Sequence, residues 1–87
     1  MIARKITYHG NFTPEHVGQI YNITRNNEIT GQVKSLGSTT VELNLEGDPS
    51  QIKLIQHQIE RQVKPSIQDK TVTQIPFQYY VGVVLLN

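Results

Sequence analysis

Two histidines flank a short polar loop near the amino terminus, and they are the side chains best suited to acid–base chemistry. His9 ends an apolar segment, and His16 lies just beyond the loop residues Asn11 and Thr13. Imidazole groups titrate near neutral pH, so such a pair could bind a phosphate or transfer a proton. No carboxylate–histidine spacing supports a catalytic arrangement, however. We therefore interpret His9 as the end of a strand and His16 as a first-turn residue of a helix.

Thr13 and His57 complete the set of side chains considered for chemistry. Thr13 precedes Pro14, and a hydroxyl at that position caps a helix rather than serving as a nucleophile or phosphate ligand. His57 is expected at the boundary of a buried helical stripe. The chain has no cysteine and no local H-x-x-x-H pair, so we expect neither a metal site nor a cofactor.

Length and composition predict a single domain, residues 1–87. Hydrophobic residues make up 37% of the chain and charged residues 17%, which is typical of a folded protein with one modest core. The net charge is +1, and no basic stripe with interleaved aromatic residues occurs, so we expect no nucleic-acid partner. Without an apolar leader or a run long enough to span a bilayer, no membrane association is expected, and a cytoplasmic location is favoured.

Two strands and a helix are predicted in the middle of the chain. Apolar and polar residues alternate with a period of two from Val41 to Glu46, and more weakly from Ile29 to Lys34. This period predicts strands with one buried face, joined by a hairpin at residues 36–39. Asp48 then supplies the N-cap of a helix that begins at Pro49.

The flanking elements follow from similar signals. We predict strands at Ile2–His9, Ile67–Ile75 and Phe77–Leu86, and helices at about Pro14–Arg25 and Pro49–Lys64, the second one ended by Pro65. The predicted buried stripes are Val17, Ile20, Tyr21 and Thr24 on the first helix, and Ile52, Ile55, Ile59 and Val63 on the second.

The order of these elements is strand–helix–strand twice, followed by one further strand. That order predicts an α+β, ferredoxin-like (βαββαβ) sandwich. Its antiparallel sheet is expected to have four to five strands, with both helices on one face. Many unrelated functions occur on this fold, so the function has to be inferred from a site.

The stretch from Tyr8 to about Val72 resembles the acylphosphatase family. Residues 29–35, ITGQVKS, are similar to the family's L-T-G-W-V-K-N strand, and residues 40–48, TVELNLEGD, resemble its V-E-V-x-x-E-G-[DE] segment. The resemblance implies hydrolysis of the carboxyl-phosphate bond of acyl phosphates without a metal or cofactor. It also implies a phosphate cradle of backbone N–H groups that ends in an arginine, and an asparagine that positions the attacking water.

The chain departs from the family at both of these side chains. Residues 11–18 replace the family's R-V-Q-G-V-G-F-R, so that the arginine position holds Gly18, and Ser35 stands at the asparagine position. Pro14 lacks an N–H donor, and Glu15 brings a negative charge towards a bound phosphate. The residues that remain as candidates for weak phosphate or anion binding are Asn11, Thr13, His16, Gly18 and Ser35.

The carboxy-terminal segment is a candidate interaction strand, because it is apolar at successive positions. A strand of this kind either folds back over its own sheet or is covered by a partner, as a homodimer or on another protein. The sequence leaves these alternatives open. The residues concerned are Tyr79, Tyr80, Val81, Val83 and Leu85.

The residues thus favour a binding or protein-interaction module, an acylphosphatase-like pseudoenzyme with a degenerate active site. The alternative is an enzyme, a divergent acylphosphatase that uses Ser35, His16 and loop amides in a rewritten site.

Overall fold

A mixed sheet of five strands, with two helices on one face, forms the protein, and the computed structural model describes residues 1–86. A one-turn 3-10 helix, Lys64–Ser66, precedes the fourth strand. The elements are β1 (Ile2–Gly10), α1 (Pro14–Arg25), β2 (Thr30–Leu36), β3 (Thr40–Gly47), α2 (Pro49–Gln62), β4 (Ile67–Gln74) and β5 (Val83–Leu86).

The strand order is β4-β1-β3-β2-β5, which confirms the predicted α+β ferredoxin-like class. Four strands pair antiparallel as expected, whereas β5 pairs parallel to β2. No helix within the described residues is long and apolar enough to cross a membrane.

The predicted fifth strand, Phe77–Leu86, is wrong in its first part, because only Val83–Leu86 is a strand. Since β4 and β5 lie at opposite edges of the sheet, the chain between them must cross β1, β3 and β2. Residues 75–82, which we call the strap, make this crossing on the face opposite the helices. The predicted second helix is also slightly too long, because α2 ends at Gln62 and Lys64 begins the separate 3-10 turn.

The core lies between the helices and the inner face of the sheet. The predicted stripe on α2 is buried, from Ile52 to Val63, and so are Val17, Ile20 and Thr24 on α1. Tyr21 is only half-buried, and Ile23 is buried instead. The Thr24 hydroxyl is satisfied in the core because it donates to the Ile20 carbonyl at 2.8 Å.

A chain of polar side chains that runs from the buried Tyr8 to the exposed Lys70 links the sheet to α2. The Tyr8 hydroxyl donates to Glu60 Oε2 at 3.0 Å, and Glu60 Oε1 accepts from Lys70 Nζ at 2.8 Å. Burial, together with the Glu60 carboxylate, raises the pKa of the Tyr8 phenol far above its usual range. At the start of α2, hydrogen bonds from Ser50 to the capping carboxylate lower the pKa of Asp48.

Glu46 anchors the strap to the sheet. Its side chain is 4% exposed on β3, and its two oxygens accept hydrogen bonds from three successive backbone N–H groups. Oε2 accepts from Gln78 and Tyr79, and Oε1 accepts from Tyr80 at 3.0 Å. Tyr79 takes a left-handed backbone conformation, with φ of 58°, where the strap turns around this carboxylate. The strap leads directly into β5, so its position sets the place where β5 begins.

Replacing Glu46 by alanine is expected to lower the free energy of unfolding by about 2–3 kcal/mol, because the strap N–H groups lose a charged acceptor. Glu42→Ala is the matched control on the same strand and face. The Glu42 carboxylate makes a partly exposed contact with Lys5 at 3.7 Å, and such pairs contribute about 0–1 kcal/mol. Urea unfolding measures both changes, and amide exchange at residues 78–80 locates them. Equal destabilisation by the two variants would contradict the anchoring role.

Candidate functional site

A cavity of about 310 Å³ lies between the loop that precedes α1 and the hairpin that joins β2 to β3. Thr13, Gly18 and Ser35 line this cavity, so the fold brings together three of the five residues that the sequence offers as candidates for anion binding. Leu85 of β5 completes one wall. The cavity is therefore the place where the sequence candidates for a site converge.

The walls of the cavity are largely apolar. Phe12, Val17 and Leu85 contribute carbon surface, and Pro14 adds a ring at the start of α1. The polar groups are hydroxyls, from Thr13 and from the serines of the hairpin side, Ser35 and Ser38. Within residues 1–86, no charged side chain lines the cavity. An arrangement of this kind suits an uncharged group and offers no counter-charge to a phosphate.

The backbone of the loop forms hydrogen bonds within the protein rather than facing the cavity. Gly10 N–H donates to the Thr39 carbonyl at 2.9 Å, and Phe12 N–H donates to the Ser38 carbonyl at 2.8 Å. Asn11 N–H donates to the Ser66 carbonyl of the 3-10 turn at 2.9 Å. These bonds fix the loop between the hairpin and the chain that follows α2. They also remove three donors that an anion cradle would need.

The start of α1 is closed by a capping box in which histidine takes the place of the usual glutamate. The His16 N–H donates to Thr13 Oγ1 at 3.2 Å, and the Thr13 N–H donates to His16 Nδ1 at 3.1 Å. The Val17 N–H donates to the Thr13 carbonyl at 3.1 Å. In the described structure, the N–H groups of residues 10–13, 16 and 17 all donate hydrogen bonds within the protein. Among these described residues, Glu15 is the only non-proline residue whose N–H does not.

The other sequence candidates have structural roles or lie elsewhere. Asn11 is exposed and His16 faces Ser66, whose hydroxyl lies 3.4 Å from its ring nitrogens, so neither lines the cavity. His9 Nδ1 lies 3.4 Å from Thr40 Oγ1. The Ser35 hydroxyl donates to the Gly37 carbonyl at 3.3 Å and so ties the hairpin turn.

Titratable groups with shifted pKa values, Tyr8 and Asp48, also lie outside the cavity. Within residues 1–86, no group of three or more His, Cys, Asp or Glu side chains is placed to hold a metal ion.

The sequence analysis did not identify the apolar residues that line the cavity. Phe12 is buried although it stands in a polar loop, and that contrast is the signal that could have placed it in the site. The sequence predicts Val17 in the core stripe of the first helix and Leu85 in an interaction strand. Both line the cavity as well, because β5 runs beside β2 and brings Leu85 towards α1.

Solved structures with a similar fold include two acylphosphatases and a HypF protein. The acylphosphatase from Bacillus subtilis matches with a TM-score of 0.87 and 16% identity, and the match covers 100% of each chain. An acylphosphatase from Coxiella burnetii matches with a TM-score of 0.83 and 16% identity, over 97% of this chain and 90% of that one. T. kodakarensis HypF matches with a TM-score of 0.81 and 23% identity, over 98% of this chain but 12% of HypF.

These likenesses establish the class of fold: the chain has an acylphosphatase-like, ferredoxin-like α+β architecture. No protein-family model matches the sequence, and no curated protein matches it significantly. At such low identities, the structural matches define the fold and leave the chemistry to the residues of the site.

Inorganic phosphate is expected to bind to this cavity with a dissociation constant above about 10 mM, because neither a cation nor free loop amides meet it. Amide shifts of residues 10–18 during a phosphate titration measure this binding. Gly18→Arg is the positive comparison, since a Cβ atom at Gly18 meets no atom within 4 Å. The added guanidinium is expected to tighten binding about tenfold. Saturable shifts in the parent at or below about 1 mM phosphate would contradict this prediction.

Proposed function

We propose that this domain is a binding module on an acylphosphatase-like fold, which holds an uncharged and largely apolar group in the cavity and does not hydrolyse acyl phosphates. The observation that carries the proposal is the lining of the cavity. At the place where this fold would hold a phosphoryl group, Gly18 and Ser35 stand beside Phe12, Val17 and Leu85.

Charge is the first argument against hydrolysis. An acyl phosphate carries negative charge that grows on the leaving carboxylate, and catalysis of its cleavage depends on preorganised positive groups. Here the first turn of α1 carries Glu15, and the cavity lining described above has no arginine or lysine. Removal of a phosphate-clamping arginine from such a site costs about 10³-fold or more in rate.

The hydrogen-bond pattern of the loop is the second argument. A helix N-terminus attracts anions through its free N–H groups, and a capping box uses up those same groups. Thr13 and His16 satisfy each other in this way, and the preceding amides bond to the hairpin and the 3-10 turn. The loop is thus built for rigidity rather than for an exchangeable anion.

The size and chemistry of the cavity indicate what it accepts. A volume of about 310 Å³ is at the small end of ligand pockets, and it suits a branched aliphatic or phenyl group. The Thr13 hydroxyl, which accepts from the His16 N–H, can still donate, and the Ser35 hydroxyl, which donates to the Gly37 carbonyl, can still accept. Both can therefore bond to an amide or an alcohol at the wall. A side chain of a partner peptide and a small neutral molecule share this chemistry.

Hydrolysis of a generic acyl phosphate tests the first half of the proposal. The parent is expected to show no rate above the uncatalysed background. Gly18→Arg/Ser35→Asn is expected to raise the rate by about tenfold or more, because it restores the charge and the amide to one cavity. Each single variant serves as a control. Activity in the parent that is lost on changing His16 or Ser35 would overturn the proposal and favour a divergent acylphosphatase.

Binding of neutral probes tests the second half. N-acetyl-leucinamide and benzyl alcohol are expected to shift the amide signals around Val17 and Ser38, whereas benzoate is expected to bind at least about tenfold more weakly. Gly18→Leu would fill the cavity and abolish the shifts. Gly18→Ala is the matched control, because its single methyl enters open space and leaves most of the volume. Equal binding of benzoate, or unchanged binding to Gly18→Leu, would contradict the proposal.

A further inference from the structure

One edge of the sheet is formed by β5, a strand of four residues, Val83–Leu86. Within the described residues, β5 pairs with β2 on one side, and its outer side carries no strand. The N–H and C=O groups along that outer side are free to pair with another strand. The strand consists of Val83, Val84, Leu85 and Leu86, so it carries no charge that would oppose such pairing.

The opposite edge of the sheet is different in character. There β4 is polar along most of its length and carries Asp69 and Lys70, which are both exposed. A bulge also interrupts its pairing with β1, between His9 and Gly10. Charged residues and bulges are common means by which edge strands avoid pairing with other chains. One edge is thus protected, whereas the β5 edge lacks such protection.

Apolar side chains on β5 also remain uncovered. Val83 and Leu85 point to the helix side and pack against the core. Val84 and Leu86 lie on the opposite face and are 43% and 39% exposed. Val81, which leads into the strand, is 93% exposed. These residues form one apolar patch, and a strand placed beside β5 would cover part of it.

We propose that two copies of this chain pair antiparallel through their β5 strands, about a two-fold axis, so that two sheets join into one continuous sheet. A partner for this edge must present an extended, uncharged strand with a free edge, and β5 of a second copy meets each requirement. Two-fold symmetry places the same patch against itself, so Val84 and Leu86 of each copy cover those of the other. The net charge of +1 per chain opposes this association only slightly.

The contact is small, because the strand contributes four residues. Interfaces below about 1,200 Å² of total buried surface are typical of weak and transient association. We therefore expect a dissociation constant of about 10–500 µM. The pairing uses the outer backbone edge of β5 and does not require a ligand in the cavity, so either proposal can fail without the other.

Sedimentation equilibrium of the 87-residue chain from about 10 µM to 1 mM tests the pairing. The parent is expected to dimerise over this range. Val84→Lys is expected to weaken dimerisation at least about tenfold, because it places a charge beside the apolar side chains of the second copy. Val72→Lys is the control for an added charge on the opposite edge strand, where Val72 is 40% exposed on the helix face, and it is expected to dimerise like the parent.

Amide exchange gives a second readout that needs no substitution. Protection of residues 83–86 is expected to rise with protein concentration, whereas protection of residues 67–74 stays constant. Urea unfolding of both variants shows whether each remains folded. A parent that stays monomeric at 1 mM would overturn the proposal and leave the edge to a strand of another protein. A dimer that Val84→Lys leaves intact, or that Val72→Lys disrupts equally, would overturn it as well.

Discussion

The hydrogen bonds between Glu46 and the strap are the interaction on which the rest of the structure depends. A carboxylate that is buried on the outer face of a sheet is costly unless it is fully bonded, and here three successive backbone N–H groups meet that need. The strap is also held by the Ile75 N–H, which donates to the Ala3 carbonyl, and by the Tyr80 hydroxyl, which donates to Gln32 Oε1. Because Glu46 holds its middle, the chain reaches β5 at a fixed place beside β2. The cavity wall at Leu85 and the open edge of the sheet both follow from that placement.

At the start of α1, the helix cap uses the N–H groups that an anion-binding site would need. The free N–H groups of a helix N-terminus can serve an anion or can be satisfied by the chain itself, but not both. In this protein Thr13, His16 and the flanking carbonyls use them. Pro14 fits the first helical position for the same reason, since it has no donor to offer. The capping of these N–H groups and the uncharged lining of the cavity, as described for residues 1–86, both support the proposed binding of a neutral group.

The two edges of the sheet share one fold but have different surfaces. The exposed side chains of Asp69 and Lys70 make the β4 edge polar. In contrast, β5 is apolar on both faces and joins the sheet only through its parallel pairing with β2. The cavity and this edge lie close together, because Leu85 belongs to both. A contact at the edge and a ligand in the cavity would thus act on neighbouring parts of the same strand.

The sequence by itself determined the elements and the fold class. Alternation from Val41 to Glu46, the capping residues Thr13 and Asp48, and the apolar stripe from Ile52 to Val63 are local signals, and the structure agrees with each of them. The assignment of Gly18 and Ser35 to the family's arginine and asparagine positions stays a prediction from the neighbouring motifs. Only the tertiary structure decided the rest. The burial of Phe12, the use of His16 as a cap, the shortening of β5 and the role of Glu46 depend on segments far apart in the chain. No local pattern encodes such contacts. From the sequence alone, Glu46 is expected to be an exposed residue of β3, and only the strap that crosses it in the folded protein buries its carboxylate.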